Sequence, residues 1–224
     1  MASVPQLVVY ATLPYLSAGA GARLALARGA RRLRPGRVTA TLAVVVTVPS
    51  VVGLLVPEVL HALERDASRI ADGQVWRLLT ALVQQDGGLF GLVGNVVALL
   101  VVGSVAELLL SGGRTALVFV GVGVLAQLPA LVWQPVGAGN SVANFGLAGA
   151  VALLVLLDLR RPGAVTVAAA LTLLAGVGLT AVADVHGPAV LLGAAAVGPC
   201  LACRPERRLQ KPRVRPRHRP PGST

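Results

Sequence analysis

Charged residues fall in a few short clusters along the chain and leave long stretches without any. Residues 38–57 carry no charge over 20 positions, residues 87–106 over 20, residues 115–157 over 43, residues 162–183 over 22 and residues 185–203 over 19. A membrane helix needs about 20 apolar residues, so each of the four shorter runs predicts one span. The longest run has room for two, and Gln134-Pro135 followed by Gly137-Ala138-Gly139-Asn140 supplies a break between them. The last run opens with His186-Gly187-Pro188. The pattern predicts an all-α fold, a polytopic membrane helical bundle with six spans. Residues 4–22 are also uncharged, but Pro5, Gln6, Tyr10, Pro14 and Tyr15 weaken that run. Its arginines follow the apolar stretch, whereas a signal peptide carries its positive charge first. This segment is read as interfacial or as an extra span.

Composition agrees with a membrane protein. The 224 residues are 55% hydrophobic and 13% charged, with mean hydropathy +0.76, against about 25% charged in soluble domains. Disorder over most of the chain and an ordinary soluble domain are both excluded.

The net charge of +11 taken alone suggests nucleic acid or an anionic surface. Its distribution changes that picture. With the start of the first core span facing the cytoplasm, 17 of the 20 basic residues fall inside, and only Arg65, Arg69 and Arg77 stay outside. Six of the nine acids also fall outside. The excess therefore reads as orientation in a plasma membrane, with both ends of the core cytoplasmic, and nucleic acid is not an expected partner. Three regions follow: an Arg-rich cytoplasmic or interfacial segment 1–37, a membrane domain 38–203, and a basic Pro/Arg-rich tail 204–224. The tail is expected to be disordered and held at anionic lipid headgroups. Cys200 and Cys203 lack nearby partners for a zinc site and make no disulfide framework.

Few polar residues lie within the spans, and such residues are functional candidates because their burial in lipid is costly. Asn95 lies about two turns into the second span, Ser141 and Asn144 open the fourth, and His186 opens the sixth. These three helices run in one direction, so Asn95, Ser141 and His186 share a depth. A neutral histidine can take a serine proton, and an amide NH2 can stabilise an oxyanion. Taken singly, the serine reads as a helix N-cap, the asparagine as interhelical glue and the histidine as a helix-end residue. The pairs Gly146/Ala150 and Ala189/Gly193 are small-xxx-small spacings that allow helices to approach closely.

These residues resemble the rhomboid family of intramembrane serine proteases over about residues 38–203. Gly139-Asn-Ser141-Val-Ala-Asn-Phe145-Gly146-Leu-Ala-Gly149-Ala150 is similar to the family's active-serine stretch, G-x-S-G-A-x-F-G-L-x-G-A. His186-x-x-Ala189-x-x-x-Gly193 resembles its H-x-x-G-x-x-x-G helix. Trp76-Arg77 matches its W-R pair, Asn95 the asparagine of its H-x-x-x-N element, and Glu107 its acidic residue at the inner end of the second span. The resemblance implies a six-transmembrane rhomboid-like core. It also implies a Ser141–His186 dyad, with the oxyanion held by Asn95 and the Ser141 backbone N–H. The implied substrates are transmembrane segments of other proteins, cut in or near the bilayer, and no cofactor or metal is implied. Three positions depart from the pattern. Val142 replaces the glycine after the serine, Gly91 the histidine before Asn95, and Ala189 the glycine after the base. Val142 and Gly91 motivate an alternative, a weak or inactive relative that binds client helices. A transporter ranks last, because no charge lies at the middle of any span. Asp184 is not expected to join the dyad, since residues two apart on a helix do not share a face.

Overall fold

The computed structural model describes residues 4–158 and 163–198. The expected tail 204–224, the cysteines, and Arg160 and Arg161 lie outside the described residues. The chain forms a bundle of membrane helices. Helix α1 (Val4–Ala27) is followed by α2 (Arg37–Leu55). A long loop then carries α3 (Pro57–Leu63), the short strand β1 (Arg65–Asp66), α4 (Ala67–Ala71) and α5 (Arg77–Thr80). The next rod is α6 (Gly88–Ala98), a π-helical turn (Leu99–Gly103) and α7 (Ser104–Leu110). Then come α8 (Gly112–Leu125), α9 (Gln127–Trp133), strand β2 (Val136–Gly137), α10 (Ser141–Leu157), α11 (Ala164–Ala181) and α12 (His186–Ala195).

Among the described residues, four helical segments are long and apolar enough to cross a membrane: Arg37–Leu55, Gly88–Leu110, Gly112–Trp133 and Ala164–Ala181. Apolar residues cover their outward faces, including Val44, Phe90, Leu117 and Leu174, which suits lipid as the surrounding solvent. Helix α10 is central. Thirteen of its 17 residues are buried, and it packs against α1, α8, α11 and α12. Its glycines and alanines allow this crowding. Gly149 lies against the backbone of Val190 and Gly193 against the backbone of Gly146, leaving no room for a Cβ at either glycine. At 17 residues α10 is about 25 Å long, shorter than the ~30 Å apolar core of a bilayer.

The 24-residue helix α1 lies within the bundle, packed on α10 and flanked by α11 and α7. Leu13, Ala18, Leu24 and Ala25 are buried, and the Ser17 hydroxyl donates to the Ala148 carbonyl at 2.7 Å. Gln6 and Tyr10, which weaken the apolar run in the sequence, face protein partners here.

Glu107 ties two rods together at the opposite end from the long loop. Its carboxylate accepts from the N–H of Val38 (3.2 Å) and Thr39 (2.9 Å) and from the Thr39 hydroxyl (2.7 Å). It thereby satisfies donors that the start of α2 would leave unpaired. The long loop is pinned over the other end. β1 pairs antiparallel with β2, Arg65 opposite Gly137. Arg77 is buried and its guanidinium donates to the carbonyls of His61 (3.0 Å) and Glu64 (2.9 Å) and to Gln74 Oε1 (2.8 Å). Trp76 beside it is exposed.

Candidate active site

Ser141 and His186 each open a helix, and the two helices are in backbone contact through Gly146 and Gly193. That approach brings His186 Nε2 to 3.0 Å from Ser141 Oγ. Ser141 does not cap its own helix. Asn140 holds the N-cap position, without a side-chain cap bond, and the Ser141 hydroxyl faces the imidazole instead. The helical ladder of α10 begins with the Asn144 N–H bonding to the Asn140 carbonyl at 3.0 Å. The N–H groups ahead of Asn144 have no partner within the helix, which leaves donors beside the serine.

The turn into α10 depends on Gly139, whose φ is +152°. Its N–H donates to the Ala81 carbonyl at 2.9 Å, and the neighbouring Ala138 N–H donates to Asp86 at 2.9 Å. A Cβ at position 139 would crowd Gln85 Oε1 and Ser141 Oγ, at 3.3 and 3.4 Å, and the backbone conformation itself disfavours any side chain.

Asn95 lines the same cavity, of about 1180 Å³, as Ser141 and His186. Its amide belongs to a chain of amides. Asn95 Nδ2 donates to Gln85 Oε1 at 2.8 Å, Gln85 Nε2 donates to Asn140 Oδ1, and Asn144 Nδ2 returns to the Asn95 carbonyl at 2.9 Å. Gln85 and Asn140 are buried. Sequence reasoning gave neither a role: Gln85 lies just before the uncharged run 87–106, and Asn140 reads there as part of the break between two spans. Gly91 faces the cavity with open space at its Cβ position. Val142 is buried among Leu13, Phe145 and Leu179. At the rim, the buried Arg65 donates to the Gln134 carbonyl (2.6 Å) and Gln127 Oε1 (3.2 Å). Burial lowers its pKa, partly offset by the charge of Asp86.

Tyr10, from outside these motifs, and Phe145, from the active-serine stretch, pack against His186. Their ring centroids lie 4.4 Å (Tyr10) and 4.6 Å (Phe145) from that of His186, with the planes tilted by 44° and 54°. The expectation about Asp184 is corrected. Asp184 precedes α12, so the helical spacing rule does not apply to it. Its Oδ1 lies 2.7 Å from His186 Nδ1 and accepts the His186 backbone N–H at 3.0 Å. Burial pushes its carboxyl upward, but the hydrogen bond and charge of His186 and the bond from Tyr10 outweigh this and hold it below the usual carboxylate range. Among the described residues, no cluster of three or more His, Cys, Asp or Glu side chains could hold a metal ion.

A family model described as Rhomboid domain matches residues 72–201, which include Trp76, Arg77, Asn95, Glu107, Ser141 and His186. The chain belongs to the rhomboid family. It is also 37% identical over 87 residues to "Rhomboid protease GluP" of Bacillus subtilis (strain 168). That match covers 38% of this chain and 17% of the relative, so the chain spans only a small part of that protein's length. Family membership agrees with the helical membrane bundle and identifies a multi-pass membrane protein related to intramembrane proteases. Within the rhomboid domain, Trp76-Arg77 belongs to the loop that closes one end of the bundle, and Glu107 to the cap of α2 at the other. Gly146, Gly149 and Gly193 form the contact between α10 and α12.

Proposed function

We propose that this rhomboid-family chain is an intramembrane serine endopeptidase that cuts the transmembrane segments of other membrane proteins with Ser141 and His186. The observation that carries the reading is the 3.0 Å contact between Ser141 Oγ and His186 Nε2 at the meeting of two helix ends. Ser141 Oγ attacks the substrate carbonyl carbon while its proton passes to His186 Nε2. The Ser141 N–H and Asn95 Nδ2 donate to the oxyanion. Collapse of the tetrahedral intermediate breaks the C–N bond, and His186 returns the proton to the leaving amine. Water, deprotonated by His186, then releases the acyl group and restores the serine. No step requires a cofactor. The domain 38–203 works in a plasma membrane with both ends of the core cytoplasmic, an orientation supported by the placement of 17 of 20 basic residues. The basic tail 204–224 would contact anionic headgroups.

The test is fluorophosphonate labelling of the purified protein in lipid nanodiscs beside Ser141→Ala. Labelling of the wild type alone supports the reading, and equal labelling of both opposes it. Gly91 and Val142 favour a second reading, a client-binding relative without proteolysis. It predicts that Ser141→Ala preserves cellular function.

A further inference from the structure

We propose that Asp184 positions His186, so that the site is a Ser141–His186–Asp184 triad whose carboxylate is held in place by helix α1. The proposal rests on the proteolytic reading above and extends it to two elements that the rhomboid motifs do not contain. Asp184 is 1% exposed, and its four hydrogen bonds fill the carboxylate. Oδ1 contacts His186 Nδ1 (2.7 Å) and the His186 backbone N–H (3.0 Å). Oδ2 accepts from the Tyr10 hydroxyl and from Gln6 Nε2 (3.1 Å).

The local chain conformation makes this possible. Ala183 has φ +56°, which turns the backbone between α11 and α12. Asp184 then folds its carboxylate over the N–H two residues on, an Asx-type turn at the start of α12. An ionised carboxylate only accepts hydrogen bonds. It therefore places the imidazole proton on Nδ1 and leaves the Nε2 lone pair facing Ser141 Oγ, the tautomer that a general base needs. As the serine proton arrives on Nε2, the Nδ1 proton stays where it is, and the carboxylate stabilises the imidazolium without being protonated. Tilted ring contacts from Tyr10 and Phe145 restrict how the imidazole can turn. Tyr10 thus serves twice, against the ring and on the carboxylate. Tyr10 and Gln6 lie more than 170 residues before Asp184 in sequence, so α1 is part of the site and not only a neighbour of the bundle.

The experiment follows inactivation of the full-length protein by a fluorophosphonate. The Oγ–P bond forms, fluoride leaves with the P–F bonding pair, and the serine proton passes to Nε2. Asp184→Asn keeps the shape, but its NH2 favours the opposite tautomer. It is expected to slow the maximal inactivation rate by ~10²–10⁴-fold and to leave the inactivator's binding constant within threefold. Tyr10→Phe is expected to slow inactivation by a smaller factor. If Asp184→Asn inactivates within threefold of wild type while Ser141→Ala remains unlabelled, the triad is overturned and the protease reading survives. If Ser141→Ala labels as well as wild type, the protease reading fails, and the triad with it. A measurement on the unsubstituted protein covers the case in which Asp184→Asn does not fold. ¹⁵N-histidine spectra, with His186 assigned by difference from His186→Ala, are expected to show Nδ1 protonated and Nε2 bare at neutral pH. The opposite tautomer overturns the proposal.

Discussion

Gly193 of α12 lies directly against the backbone of Gly146 in α10, and this contact sets how far Ser141 stands from His186. A second contact of the same kind, Gly149 against Val190, lies one turn further along α10. Both leave backbone rather than a flexible side chain in the way of an added Cβ. Gly193→Ala and Gly149→Ala are each expected to destabilise the protein by at least the ~1–3 kcal/mol typical of overpacking. Thermal unfolding in detergent checks this. Either variant that remains folded should also lose fluorophosphonate reactivity, since separating the helices lengthens the Ser–His contact.

Asn95→Ala removes the proposed side-chain oxyanion donor. The inactivation rate is expected to fall by ~10²–10³-fold with a modest loss of thermal stability, because the amide chain through Gln85 also loses its end. A fall in stability with an unchanged rate in the folded fraction would assign Asn95 to structure alone.

Gly91→His tests whether the site lacks a donor. Position 91 faces the cavity and a Cβ there meets nothing within 4 Å. The substitution is expected to fold and to raise the labelling rate, with ~10²-fold as the scale of one oxyanion donor. A folded variant with an unchanged rate would show that the missing histidine is not what limits the chemistry.

Glu107→Ala strips three hydrogen bonds from the start of α2. Loss of an N-terminal cap costs about 0.5–2 kcal/mol, so the thermal midpoint should fall. Glu107→Gln, which keeps an acceptor but loses the charge, should fall between the two. Labelling of Ser141 in the folded fraction should be unchanged, because Glu107 lies at the far end of the bundle from the long loop.

The long loop carries its own pH dependence. Asp66 caps α4, accepting from the Ser68 hydroxyl (2.7 Å) and the N–H groups of Ser68 (3.0 Å) and Arg69 (3.2 Å). The Ser68 hydroxyl and the Arg69 N–H, with smaller contributions from the Ser68 N–H and the Arg69 charge, hold its carboxyl below the usual value. A carboxyl lowered in the folded state adds stability above its unfolded pKa of about 4, and that stability is lost as pH falls through the folded value. Protection of the Ser68 and Arg69 amides, measured against their intrinsic exchange rates at each pH, should therefore fall in acid, and Asp66→Asn should flatten the response.

The bundle and the meeting of Ser141 with His186 were legible because so few polar residues interrupt the apolar runs. Ser141, His186 and Asn95 stand out against that background, and span direction alone predicts a shared depth. Tyr10 and Gln6 were not legible in that role. They look like defects in a weak apolar segment, and their partner is Asp184, near the other end of the chain. Asp184 itself was set aside by a rule for residues within a helix, whereas the left-handed Ala183 places it before the helix begins. Glu107 was recognised by resemblance, but its reach to Val38 and Thr39 depends on how two rods pack, which local pattern does not encode.

The central claim is that Ser141 is a nucleophile activated by His186. The most direct measurement is mass-spectrometric localisation of the fluorophosphonate adduct on the intact protein in nanodiscs. The account predicts a single adduct on Ser141, abolished in Ser141→Ala and strongly slowed in His186→Ala. An adduct elsewhere, or labelling in which both variants match the wild type, would contradict it.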